Sequence, residues 1–141
     1  MLTENVAFAL GLSRAEAALR RRLEGPLGGA HGIGMTDFLI LSELSAVQGG
    51  RLRASDLAKR VLLSPSGVTR AVLPLQRIGL LERISDERDA RGSYVVLTDA
   101  GRVRLDEATP TVDRIAGEAL LSHVTRSDRL ALLGLFERLA Y

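Results

Sequence analysis

Apolar residues recur at helical spacing over most of this chain, and the residues between them mark where helices start and stop. Residues 3 to 24 read as one helix. Thr3 is placed to cap it, Glu4 stands in the first turn where a carboxylate suits the dipole, and Val6, Leu10 and Ala17 belong to a broad apolar surface. Gly25, Pro26, Gly28, Gly29, Gly32 and Gly34 follow and predict a linker by composition. A second helix is expected from its cap Thr36 to about Val47, with Phe38, Leu39, Leu41 and Leu44 on its apolar positions and Gly49-Gly50 beyond its end. Ser55 is expected to cap a short third helix, Asp56 to Val61. Ser64 followed by Pro65 is a strong start signal for a fourth, because a proline at the first helical position gives up only an N–H that has no partner there. That helix should reach Ile78, with Gly79 as a left-handed cap.

The period then changes. Leu80 to Ile84 and Tyr94 to Leu97 predict two short strands, joined by the polar run Ser85 to Ser93, so this stretch reads as a hairpin with a charged tip. Thr98 caps a long helix to about His123, which Pro110 should kink, and Thr125 or Ser127 caps a last one to about Ala140. The fold class is therefore mainly α, with six helices and a small β wing. Two helices separated only by Leu62 and Leu63, then a third element that is a hairpin, make the winged helix-turn-helix arrangement. The expected organisation is one compact chain in which residues 35–98 form the winged part and residues 1–34 and 99–141 the framing helices.

Composition narrows the function. The 141 residues hold no cysteine, so disulfides, thiol redox chemistry and thiolate metal sites are excluded. The first residues carry no basic run ahead of an apolar stretch, and no segment is apolar for long enough to span a bilayer. The expected location is cytoplasmic, with no membrane partner. His31 and His123 stand apart without a second ligand at metal spacing, and the serines lack the context of a nucleophile. The reading is a protein without metal or cofactor, and not an enzyme. The net charge of +2 says little, but Arg51 to Arg91 hold nine basic and five acidic residues, so the middle of the chain is positive.

In the fourth helix Val68, Ala71, Val72 and Leu75 form the inward stripe, which turns Ser66, Thr69, Arg70, Leu73 and Arg77 outward. Hydroxyls at a helix N-terminus suit phosphates, and the Arg70 fork suits guanine O6 and N7. An ordinary polar surface explains the helix alone equally well. At the hairpin tip Arg88 and Arg91 sit among Asp86, Glu87 and Asp89. An arginine there suits the minor groove, braced by an aspartate. The tip also reads as a self-neutralising solvated turn.

The run Leu57-Ala58-Lys59-Arg60-Val61-Leu62-Leu63-Ser64-Pro65-Ser66-Gly67-Val68-Thr69-Arg70 resembles the MarR family of bacterial regulators. The resemblance resumes at Gly79-Leu80-Leu81-Glu82-Arg83, at Asp86-Glu87-Arg88-Asp89-Ala90-Arg91 and at Val96-Leu97-Thr98-Asp99-Ala100-Gly101. It implies a fourth helix in the major groove of double-stranded DNA and a wing in the flanking minor groove. Ser64, Ser66, Thr69 and Arg70 match DNA-facing positions of the recognition helix, and Arg91 matches the wing arginine. It implies a homodimer framed by the first and last two helices, a pseudo-palindromic operator, and a small aromatic or anionic effector in a crevice where Arg14, Arg20 and His31 are polar options. The expected role is a repressor of transcription. Leu73 and Pro74 depart from the family pattern: Pro74 cannot donate to the Arg70 carbonyl, so a kink or widened turn is expected. The alternative is a winged-helix protein-interaction module that has lost DNA binding, for which Pro74 and the acidic wing speak.

Overall fold

Helix α1, Glu4–His31, starts where Thr3 Oγ1 accepts the Val6 N–H at 3.3 Å, but it does not stop at the glycines. The computed structural model describes residues 1–89 and 92–140, and α1 in it runs straight through Gly25, Pro26, Gly28 and Gly29. The predicted linker is thus helix. Leu23 and Leu27, one turn apart, are fully buried with Leu19 packed beside them. Burying that stripe outweighs a glycine penalty of about 1 kcal/mol per residue. The helix ends instead at Gly32, whose φ of +65° is the left-handed cap.

Helix α2, Met35–Ser45, places Ile40, Leu41 and Leu44 in the centre of the core. Its capping carboxylate is Asp37, which accepts the Gly34 N–H at 2.8 Å, so the start lies two residues earlier than a Thr36 cap implies. Strand β1, Arg51–Arg53, then follows a tight turn in which Gly49 and Gly50 both have positive φ. This strand carries no sequence signal: three residues are too few to show a period of two. Helix α3, Ala54–Val61, begins directly after it, with Ser55 inside the first turn and not at the cap.

Helix α4, Pro65–Arg77, has the predicted start and stop, with Gly79 at φ +79°. It remains one helix through Pro74. The bond that Pro74 removes would have gone to the carbonyl of Arg70, and both residues are on the exposed side, open to solvent, while Val72 and Leu75 stay buried. Strands β2, Leu81–Ser85, and β3, Ser93–Leu97, pair antiparallel with Leu81 opposite Leu97 and Ser85 opposite Ser93. β1 pairs with the other edge of β3, giving the order β1-β3-β2.

Helix α5, Asp99–Leu121, runs through Pro110 as a single element and stops short of His123. At its start Thr98 Oγ1 donates to Gly79 O at 2.6 Å and accepts the Gly101 N–H at 3.0 Å, tying the helix to the base of the wing. Helix α6, Arg126–Ala140, is capped by Thr125, which exchanges bonds with Asp128.

One core joins α1 to α5 and the sheet, from Leu27 through Leu44, Leu57 and Val72 to Val95 and Ala108. α6 is outside it: no described residue of α6 is buried. Residues 1–18 of the chain are exposed as well. Between these two helices lies a groove of about 550 Å³, lined by Phe8, Leu12, Leu132, Leu133 and Phe136 beside Arg129. Among the described residues no helix is long and apolar enough to cross a membrane.

Candidate nucleic-acid interface

The two-residue turn before α4 is made by Leu62, the only described non-glycine residue with positive φ, and by Leu63, whose N–H reaches Ala58 O at 3.0 Å. The turn presents the N-terminus of α4 outward. Ser64 Oγ accepts the Gly67 N–H at 3.0 Å and lies 3.2 Å from Ser66 Oγ. Gly67 leaves that cap its room, since a Cβ there would stand 3.1 Å from Ser64 Oγ. Val68, Val72 and Leu75 face the core as the apolar spacing predicts, with Ala71 half-buried beside them. Ser64, Ser66, Thr69 and Arg70 are consequently all exposed on the opposite side. Arg70 makes no hydrogen bond or ion pair within the described residues, which leaves its five donors to solvent or a ligand.

Sequence reasoning missed Arg83. Its Nε donates to Ser93 Oγ at 3.0 Å across the hairpin, and its Nη1 lies 3.4 Å from Thr69 Oγ1. The guanidinium therefore bridges the wing and the exposed face of α4. The signal was available: Arg83 shares a strand face with the buried Leu81, where an apolar residue is the rule.

Arg88 is exposed in the bend after β2, and its backbone N–H donates to Asp86 Oδ1 at 3.0 Å. Arg91, the other predicted wing arginine, lies outside the described residues. One aspartate of the hairpin is paired with another strand. Asp86 Oδ2 accepts from Arg53 Nη2 of β1 at 2.8 Å. Arg53 also lies 5.1 Å from the centre of the Tyr94 ring, with Arg51 at 4.0 Å. Tyr94 first, and Asp86 after it, hold the Arg53 guanidinium above the usual arginine pKa.

The three polar options for a ligand crevice separate. Arg20 bonds Glu16 at 2.8 Å and Thr36 at 3.1 Å, linking α1 to α2. His31 Nε2 meets Thr111 Oγ1 at 2.7 Å, and Arg104 donates to the His31 carbonyl at 2.7 Å, linking α1 to α5. Arg14 is exposed on the outlying half of α1.

A sequence model of the MarR family matches residues 31–92, the span from the end of α1 to the wing. A solved structure of a MepR-like protein complexed with pseudoligands is 31% identical over 99% of this chain and 95% of its own, with a TM-score of 0.71. The chain belongs to the MarR family of transcriptional regulators. The MarR-family regulator Sco3205 from Streptomyces coelicolor, solved in complex with DNA, superposes with a TM-score of 0.86 over 99% of this chain and 88% of its own, at 24% identity. An HTH-type transcriptional regulator, YwaE of Bacillus subtilis (strain 168), is 25% identical over 137 residues, 97% of this chain and 78% of its own length. In this MarR-family chain the resemblance first carried by short motifs extends to the whole helix order.

Proposed function

We propose that this MarR-family regulator works as a homodimeric repressor that binds a pseudo-palindromic site in double-stranded DNA. α4 enters the major groove and the wing enters the minor groove beside it. The observation that carries this reading is the exposed set Ser64, Ser66, Thr69 and Arg70 at the N-terminus of α4, with Arg83 and Arg88 of the wing next in the chain and the apolar stripe turned away. Hydroxyls and amide donors hold phosphates, the Arg70 fork suits a guanine edge, and the wing cations suit the negative minor groove.

Residues 35–98 form the DNA-binding part and residues 1–34 with 99–141 the frame. Support for a dimer comes from Val6, Phe8 and Leu12 of α1 and Leu130, Leu133 and Phe136 of α6, all exposed in the single chain. So large an apolar surface on a folded chain marks an interface. A two-fold dimer then places its half-sites about one helical turn apart, roughly 10 base pairs. A small aromatic or anionic effector, bound between frame and DNA-binding part, would shift the spacing of the two recognition helices.

A gel-shift assay on the duplex upstream of the chain's own coding region tests the reading. Retardation at low salt that fades steeply as salt rises is the expected result. An intact dimer that retards nothing at low salt would refute it.

A further inference from the structure

We propose that Arg53 is a positioning residue for the wing: through Asp86 it fixes the bend that carries Arg88, so an acidic residue on the DNA-facing hairpin strengthens DNA binding. The inference rests on the DNA-binding reading above.

β1 and β2 are not neighbours; β3 lies between them. Arg53 is opposite Tyr94, and Tyr94 is opposite Ile84, so the three share one face of the sheet. The Arg53 side chain crosses that face above the Tyr94 ring and meets Asp86, one residue past the end of β2. The Asp86 side chain is only 11% exposed, and both of its oxygens are used. Oδ2 takes the Arg53 guanidinium and Oδ1 takes the Arg88 N–H. The Asp86 backbone closes the same bend, its N–H donating to Gly92 O at 3.0 Å and its carbonyl accepting from the Asp89 N–H at 3.3 Å. Arg53 also packs on the bend itself, for a Cβ at Gly92 would stand 3.0 Å from its Nη1.

A hairpin tip closed by exposed backbone bonds alone would sample many orientations, and the Arg53–Asp86 pair adds a tie from another strand. Fixing it from the far strand lowers the ordering cost of placing Arg88 in a groove. The pairing also neutralises Asp86, so that this carboxylate does not repel the DNA backbone. If Arg53 instead touched a phosphate directly, Asp86 would compete with the DNA, and removing it would free the arginine and tighten binding. The two accounts differ in the sign of one mutation.

The test uses the full-length protein and a duplex that it recovers from a random pool, read by fluorescence anisotropy at fixed salt. Asp86→Asn and Arg53→Ala are each expected to weaken binding about tenfold, and the double variant no further than either alone, as for two residues acting as one unit. The swap Arg53→Asp with Asp86→Arg should recover binding in part. The brace also has a readout without DNA: the Arg88 amide of Arg53→Ala should exchange with solvent faster than in the parent. Parental or tighter binding by Asp86→Asn overturns the proposal, as do additive losses or an unchanged Arg88 exchange rate. Should the parent protein recover no duplex at low salt, the DNA-binding reading itself fails, and the proposal with it.

Discussion

Arg83 Nη1 of the wing lies 3.4 Å from Thr69 Oγ1 on α4, so the hairpin and the helix share one guanidinium. Arg83 is exposed and its second bond goes to Ser93, within the wing. In the proposed DNA complex it would serve a phosphate between the grooves without leaving its partners. Arg83→Ala should weaken binding to all duplexes alike and lower the slope of log affinity against log salt by about 1. The melting temperature should hardly move, since exposed side chains contribute within about 0.5 kcal/mol. A salt titration beside a thermal melt checks both.

Arg70 behaves differently, because it is unpaired in the described structure and projects from the same helix face. Arg70→Ala should cost about 1–3 kcal/mol on the preferred duplex and little on an unrelated one. Selection from a random pool would then show a relaxed preference at one position of each half-site. An equal loss on every sequence would mean that Arg70 contacts phosphate.

Ser64 caps α4, and in the proposed DNA complex its hydroxyl would also face the duplex. Ser64→Ala removes the acceptor of the Gly67 N–H and should lower stability by about 1 kcal/mol. Ser66→Ala removes no backbone bond and should leave stability unchanged. Denaturant unfolding of the two variants separates the roles.

Gly101 stands where α5 passes the base of the wing. A Cβ there would overlap the Leu80 carbonyl and press on Leu97, neither of which can retreat from the core. Gly101→Ala should destabilise the fold by about 1–3 kcal/mol, seen as a lower midpoint in denaturant at unchanged slope.

The frame can be tested without touching the core. Leu133 and Phe136 are exposed on α6, so Leu133→Asp with Phe136→Asp should leave helix content intact in the single chain. Sedimentation should then report a monomer, and affinity for a two-half-site duplex should fall by at least about a hundredfold through lost bivalency.

How far the chain could be read depended on the range of the forces involved. Ser64 with Pro65, Thr98, the hairpin and the inward stripe Val68, Val72 and Leu75 were legible because caps, proline geometry and apolar period act within a few residues. The glycine-rich stretch misled for the same reason: its local preference is against helix, and only contact with α5 and α2 buries Leu23 and Leu27 enough to reverse it.

Sequence alone therefore determined the order of the six helices and the hairpin, and which face of α4 is left exposed, since both follow from neighbours along the backbone. Tertiary structure decided what residues far apart do together. It brought β1 onto the sheet, set Arg53 against Asp86 across 33 positions, and carried Arg83 to Thr69 across 14. Such pairs depend on how strands stack side by side, and a local pattern of apolar and polar residues holds no record of that distance.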